Sequence, residues 1–119
     1  MAVQVAVALG CRVIATAGSP EKCAYAEKYG AQVCFNYSED NWTERVVAAT
    51  NGKGVDVVYD SVGLIDLSLK CIAHRGRILV IGFAGREGNM ERIAMNRILL
   101  KQVQIIGYVS PQTIVIQSQ

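Results

Sequence analysis

The feature that most constrains this chain is its rhythm. Short β-branched apolar runs alternate with helix-like stretches from one end to the other. Residues 12–17 are too short and too branched for a helix and are bounded by glycines, which predicts a strand. Ser19, Pro20 and Glu21 then signal a helix start. The serine oxygen can take an orphan amide, proline suits the first helical position, and glutamate favours the positive end of the dipole. Cys23, Ala24, Ala26 and part of Tyr25 are expected to face inward before Gly30 ends the helix. The unit repeats with a strand over 32–36, a helix over 40–50 around Val46, Val47 and Ala48, and a turn at 51–54. Residues 55–60, rich in valine, predict a strand buried on both faces. Next come a helix over 64–73, a turn at Arg75 and Gly76, a buried strand over 77–83 and a glycine-rich loop over 84–89. A helix over 95–101 and a strand over 103–109 close the series, and residues 2–9 read as the tail of a helix. Crossovers between short buried strands imply an α/β fold with a parallel sheet covered by helices.

Residues 1–109 form one domain on this reading. Residues 110–119 are a tail, because Pro111 stops the strand and the apolar stretch 113–116 has nothing to pair with. Half the chain is hydrophobic (51%), enough for a sizeable core. Its 12 basic and 10 acidic residues are scattered and leave a net charge of +2, which gives no footprint for nucleic acid or a membrane surface. The apolar N-terminus runs into Ala15, Thr16 and Ala17 like a cleavage site, but it lacks a basic start and Arg12 interrupts it. No run approaches the ~18 apolar residues of a membrane span. A cytoplasmic location is expected. Cys11, Cys23, Cys34 and Cys71 lack the close spacing of a zinc motif, and a chain this aliphatic needs no staples, so four reduced thiols are expected and no metal.

The run VVYDSVG at 57–63, followed by GRILVIGFA at 76–84, makes the chain recognisable. With VIATAGSPEK at 13–22, Gly30 and Ala31, and Asn36 and Tyr37, it resembles the zinc-independent NADPH:quinone oxidoreductase branch of the medium-chain dehydrogenase/reductase superfamily. The resemblance covers about residues 2–108 and keeps the motifs in order. It implies a Rossmann-like, doubly wound sheet of six parallel strands ordered 3-2-1-4-5-6. The family's first strand and its glycine loop would precede Ala2, between the strands 12–17 and 55–60, and the substrate domain would lie further upstream. The expected fold is therefore an incomplete doubly wound sheet lacking that strand and loop.

Two candidate sites follow. After the strand 12–17 no carboxylate stands ready for a ribose diol, since the first acid is Glu21 inside the helix. Ser19 and Lys22 instead place a hydroxyl, free amides and an ammonium at a helix start, which suits a dianionic phosphate. By resemblance, Gly18, Lys22 and Tyr37 match positions that hold the 2′-phosphate of NADPH; the plainer account makes Ser19 a cap and Lys22 a solvated charge. The second site lies at the ends of the two buried strands, where ligands sit in such sheets. By resemblance, Ser61 and Val62 with Asp60 and Gly63, and Gly82, Phe83 and Ala84 with Gly85, line the ribose and nicotinamide. Gly63 and Gly85 serve turns equally well. His74 reads as a surface residue, and Tyr25, Tyr29 and Trp42 as packing.

The expected activity is hydride transfer from NADPH to an electron-poor double bond, of the quinone or enone reductase type, with orientation as the main contribution. No catalytic residue is assigned, because the groups that orient substrate belong to the absent domain. Removing a central strand costs stability of the same order as the whole net stability of a domain, about 5–15 kcal/mol. Weak or absent NADPH binding and no turnover are expected of this chain alone. Full-length relatives are expected to be homodimers. The competing expectations are a non-catalytic remnant acting as an interaction module, and another doubly wound family such as a methyltransferase, which Lys22 disfavours.

Overall fold

The structure is a computed structural model that describes residues 2–108. The chain divides into two compact units, residues 1–55 and 56–119.

The first unit contains α1 (Ala2–Ala8), β1 (Ile14–Ala17), α2 (Pro20–Lys28), β2 (Val33–Asn36) and α3 (Trp42–Ala49). Strands β1 and β2 run parallel, with Ile14 opposite Val33 and Ala17 opposite Asn36. The strand starts two residues later than the sequence suggests. Arg12 is spent on a bond to Gln32 and another to the Ala49 carbonyl, 2.7 Å away. Helix α2 opens as expected: extended Ser19 accepts the Lys22 amide at 3.3 Å, and Pro20 takes the first turn.

The inward face of α2 is narrower than expected. Cys23 is its one buried residue, while Ala24 and Tyr25 are exposed. Successive helical residues turn by about 100°, so a two-stranded sheet covers only a thin stripe of the cylinder. Tyr25 instead packs on Tyr29 with ring centroids 4.8 Å apart. The hydrogen bond between their hydroxyls raises the Tyr29 phenol above its ordinary range. Trp42 is 5% exposed and does pack inward, as do Phe35 and Val46. The Arg45 guanidinium lies 4.7 Å over the Phe35 ring and pairs with Glu39.

Four reduced thiols are not what the structure holds. Cys23 and Cys34 are joined as a disulfide, with Cα atoms 5.2 Å apart. The crossover lays α2 on β2, so the buried position of the helix meets the strand. Eleven residues of separation conceal this in the sequence. Cys11 is free and exposed, and Cys71 free and buried.

The second unit contains β3 (Val55–Asp60), α4 (Ile65–Ser68), β4 (Ile72–Val80), α5 (Met95–Lys101) and β5 (Gln104–Gly107). Its strand order is β3-β4-β5, with Arg77 opposite Gln104 and Val80 opposite Gly107 in the parallel β4–β5 pair. Ile65, Leu69, Ile72, Ile78 and Val103 form its core, and Val58, Ile98 and Ile105 pack against them. Each unit thus has its own small sheet, β1-β2 in the first and β3-β4-β5 in the second, with strands and helices alternating as in a doubly wound fold.

Three details depart from expectation. The helix 64–73 shrinks to the single turn α4, and Ile72, Ala73 and exposed His74 belong to β4. Lys101, about thirty residues away, ends the turn by donating to the Leu69 carbonyl (2.7 Å) and the Ile72 carbonyl (3.1 Å). Strand β4 stops at Val80 rather than Phe83, with the Ile81 amide still reaching the Asp60 carbonyl at 2.8 Å. Strand β3 is not buried on both faces: Val57 is 47% and Tyr59 55% exposed. It ends its sheet with β4 as its single strand neighbour, and valine and tyrosine there report strand propensity rather than burial. Val109 and the tail 110–119 lie outside the described residues. Among the described residues no helix is long and apolar enough to cross a membrane.

Candidate functional site

The first candidate site is built where β1 and β2 end side by side. The Tyr37 amide donates to the Ala17 carbonyl at 3.0 Å, extending the ladder by one bond. That bond carries the Tyr37 ring over Gly18. A Cβ on Gly18 would meet the Tyr37 Oη at 2.9 Å and Cζ at 3.2 Å. The Ser38 hydroxyl donates to the Gly18 carbonyl at 3.4 Å. One residue on, Ser19 caps α2 through the Lys22 amide and so fixes the backbone from which the lysine projects. Lys22 is exposed and Tyr37 half-buried. The fold thus brings Gly18 against Tyr37 and Ser19 against Lys22 around one strand–helix junction. Ser38 was missed in the sequence, where nothing distinguishes it from an ordinary loop serine.

The second candidate site is a pair of loops after β3 and β4, organised by Asp60. This side chain is 5% exposed. Its carboxylate accepts three backbone amides, those of Val62 (2.8 Å), Gly63 (3.0 Å) and Leu64 (2.8 Å). A carboxylate so fully engaged serves as the hub of a turn. The loops are then laced together: the Ala84 amide donates to the Ser61 carbonyl at 3.1 Å, and the Gly85 amide to the Val62 carbonyl at 2.9 Å. Gly82 passes so close that a Cβ there would sit 3.3 Å from the Ser61 oxygen. Ser61, Val62, Gly82, Phe83 and Ala84 therefore share one small region, with Phe83 standing out 62% exposed. Gly63 answers to the turn, with φ +103° and the Arg86 side chain over it, and Gly85 to its close fit on Val62.

Beside Gly63 an open hollow of about 420 Å³ is lined by Leu64, Asp66, Arg86 and Glu91 among others. The residues that hold its walls carry no signal in the sequence. The Glu91 carboxylate accepts the amides of Ile65 (3.0 Å) and Asp66 (2.7 Å), an anion at the start of α4. Asp66 in turn accepts the Ala94 amide at 2.8 Å. Arg86 donates to the carbonyls of Asn89 and Met90. These partners are three to twenty-eight residues apart, and no local motif announces the long-range ones.

The family model described as zinc-binding dehydrogenase matches residues 1–117. Among the described residues no three His, Cys, Asp or Glu side chains gather where they could hold a metal ion. The chain is similar to quinone oxidoreductase-like protein 2 of Bos taurus, 43% identical over 83% of this chain and 28% of that protein. It is also similar to quinone oxidoreductase of Pseudomonas aeruginosa, 45% identical over 70% of this chain and 26% of that one. Among solved structures, Escherichia coli quinone oxidoreductase complexed with NADPH superposes with a TM-score of 0.77 at 34% identity, over 90% of this chain and 33% of the other. The chain spans about a quarter of the length of the curated relatives it matches. On these matches and on its incomplete parallel α/β fold, the chain belongs to the quinone oxidoreductase-like branch of the medium-chain dehydrogenase/reductase superfamily.

Proposed function

We propose that this chain is the greater part of a nucleotide-binding domain that holds NADPH for reduction of an electron-poor double bond. The observation that carries the reading is the junction after β1, where Gly18, Ser19, Lys22 and Tyr37 meet with no carboxylate before Glu21. An acid there would repel a 2′-phosphate and favour a free ribose diol. An ammonium and a phenol beside an open backbone suit the phosphate instead. The E. coli relative of known structure is complexed with NADPH, in agreement with this reading.

NADPH supplies the hydride. The residues of this chain bind and orient. Within the first unit, Lys22 and the Tyr37 hydroxyl hold the 2′-phosphate; within the second, taken by itself, Ser61, Val62, Gly82, Phe83 and Ala84 form a wall of the kind that suits a ribose and nicotinamide. The Asp60 hub keeps that wall rigid, so that orientation is settled before substrate arrives. No proton transfer is assigned to these residues.

The test is a titration followed by nuclear magnetic resonance, with 2′,5′-ADP and 5′-AMP at millimolar concentration. Shifts at Gly18, Lys22 and Tyr37 with 2′,5′-ADP, and weaker ones with AMP, support the reading. Equal responses to both would overturn it. A second reading, an interaction module without chemistry, draws on the exposed Met95, Leu99 and Leu100 of α5. A chain that binds neither nucleotide yet stays folded would favour it.

A further inference from the structure

We propose that Cys23 and Cys34 form a reversible dithiol–disulfide pair that sets the geometry of the Gly18–Lys22–Tyr37 junction; its consequence for ligand binding rests on the NADPH reading above. Cys23 follows Lys22 directly in the first turn of α2 and is buried, while Cys34 lies half-buried on β2, three residues before Tyr37. The bond therefore ties the helix that carries Lys22 to the strand that delivers Tyr37. Their Cα atoms are 5.2 Å apart, within the usual 4.4–6.8 Å for a disulfide, so the bond closes on this backbone as it stands.

The two remaining thiols do not compete. Cys71 is buried in the other unit, and desolvation pushes its thiol up to about 11, leaving almost no thiolate at neutral pH. Cys11 is exposed and free, and outside the eleven-residue loop that the Cys23–Cys34 bond closes. Cys23 sits in the first turn of α2, its amide bonded to the Ser19 carbonyl at 3.1 Å.

The oxidant is a low-molecular-weight disulfide such as oxidised glutathione. The Cys34 thiolate, the less buried of the two, attacks one sulfur of that disulfide and expels the other as a thiol, leaving a mixed disulfide. The Cys23 thiolate then attacks the Cys34 sulfur, forms the Cys23–Cys34 bond and releases a second thiol. Two electrons pass from the protein sulfurs to the oxidant, and the two protein protons end on the released thiols. An added dithiol reverses both steps. Closed, the bond holds α2 against β2 and presents Lys22 and Tyr37 together; open, the start of α2 is free to fray.

The experiment uses the purified 119-residue chain with oxidised glutathione or dithiothreitol, followed by alkylation and tryptic digestion. In the oxidised sample, peptides 23–28 and 29–45 should be joined, and dithiothreitol should separate them. Amide hydrogen exchange over 18–23 and 34–38 should be about fivefold slower in the joined state. Cys34→Ser should hold it at the reduced value under both conditions, and Cys23→Ala serves where that variant fails to fold. Affinity for 2′,5′-ADP should be about fivefold higher in the joined state. No joined peptide, or a joined peptide with unchanged exchange, overturns the proposal. A redox-dependent exchange with equal responses to 2′,5′-ADP and AMP in both states keeps the cysteine pair and removes only the phosphate reading.

Discussion

The phenolic oxygen of Tyr37 lies 2.9 Å from the position a Cβ on Gly18 would take, so the two strand ends close together with no room for a side chain. Gly18→Val should push the Tyr37 ring aside. Affinity for 2′,5′-ADP should fall about tenfold, roughly 1.4 kcal/mol, with 5′-AMP little changed. Lys22→Gln should cost a similar factor and flatten the dependence of binding on salt, since an exposed charge is screened. Titrations at low and high ionic strength check both.

Asp60 offers a stability test. Its carboxylate satisfies the amides of Val62, Gly63 and Leu64. Asp60→Ala leaves them in a buried setting without an acceptor, and should cost about 3 kcal/mol or more. Asp60→Asn keeps one oxygen and should cost less. Denaturant unfolding distinguishes the two, and the loss should also loosen exchange at Ala84 and Gly85 across the loop pair.

Glu91 holds the start of α4 from a distance. Glu91→Gln keeps an acceptor but removes the charge that favours the amides of Ile65 and Asp66. It should cost about 0.5–1 kcal/mol, and Glu91→Ala about 1–2 kcal/mol. Amide exchange at residues 65 and 66 should rise in both variants before any global change.

Cys71 predicts an alkaline dependence. Burial raises its thiol from the ordinary 9.0 to about 11. The folded chain keeps the proton that the unfolded chain releases, so this contribution is complete below pH 9 and is lost as pH rises through 11. A two-unit shift corresponds to about 2–3 kcal/mol. Cys71→Ala should show a shallower loss of stability between pH 9 and 11, whatever its stability at pH 7.

Much of the local structure is legible in the sequence because its causes are local. Ser19, Pro20 and Glu21 announce α2, and the valines of 55–60 announce a strand. The parallel order of the motifs carries the fold class as well. What escapes has distant causes. The end of α4 is set by Lys101 rather than by a breaker. Exposure of Val57 and Tyr59 depends on which strands stand beside β3. Cys23 and Cys34 meet because a crossover helix folds back onto its own following strand. At the candidate sites the resemblance supplies positions only as expectations, and the Gly18–Tyr37 fit and the Asp60 hub appear only once each pair of strand ends is aligned.

The lacing of the two loops has an evolutionary consequence. Asp60, Ser61 and Val62 are matched in step with Ile81, Ala84 and Gly85. An extra residue inserted into either loop would slide one row of amides past its carbonyls and leave several unsatisfied. A side chain such as Phe83 can therefore be exchanged here without disturbing the lacing, whereas an insertion or deletion in either loop breaks it.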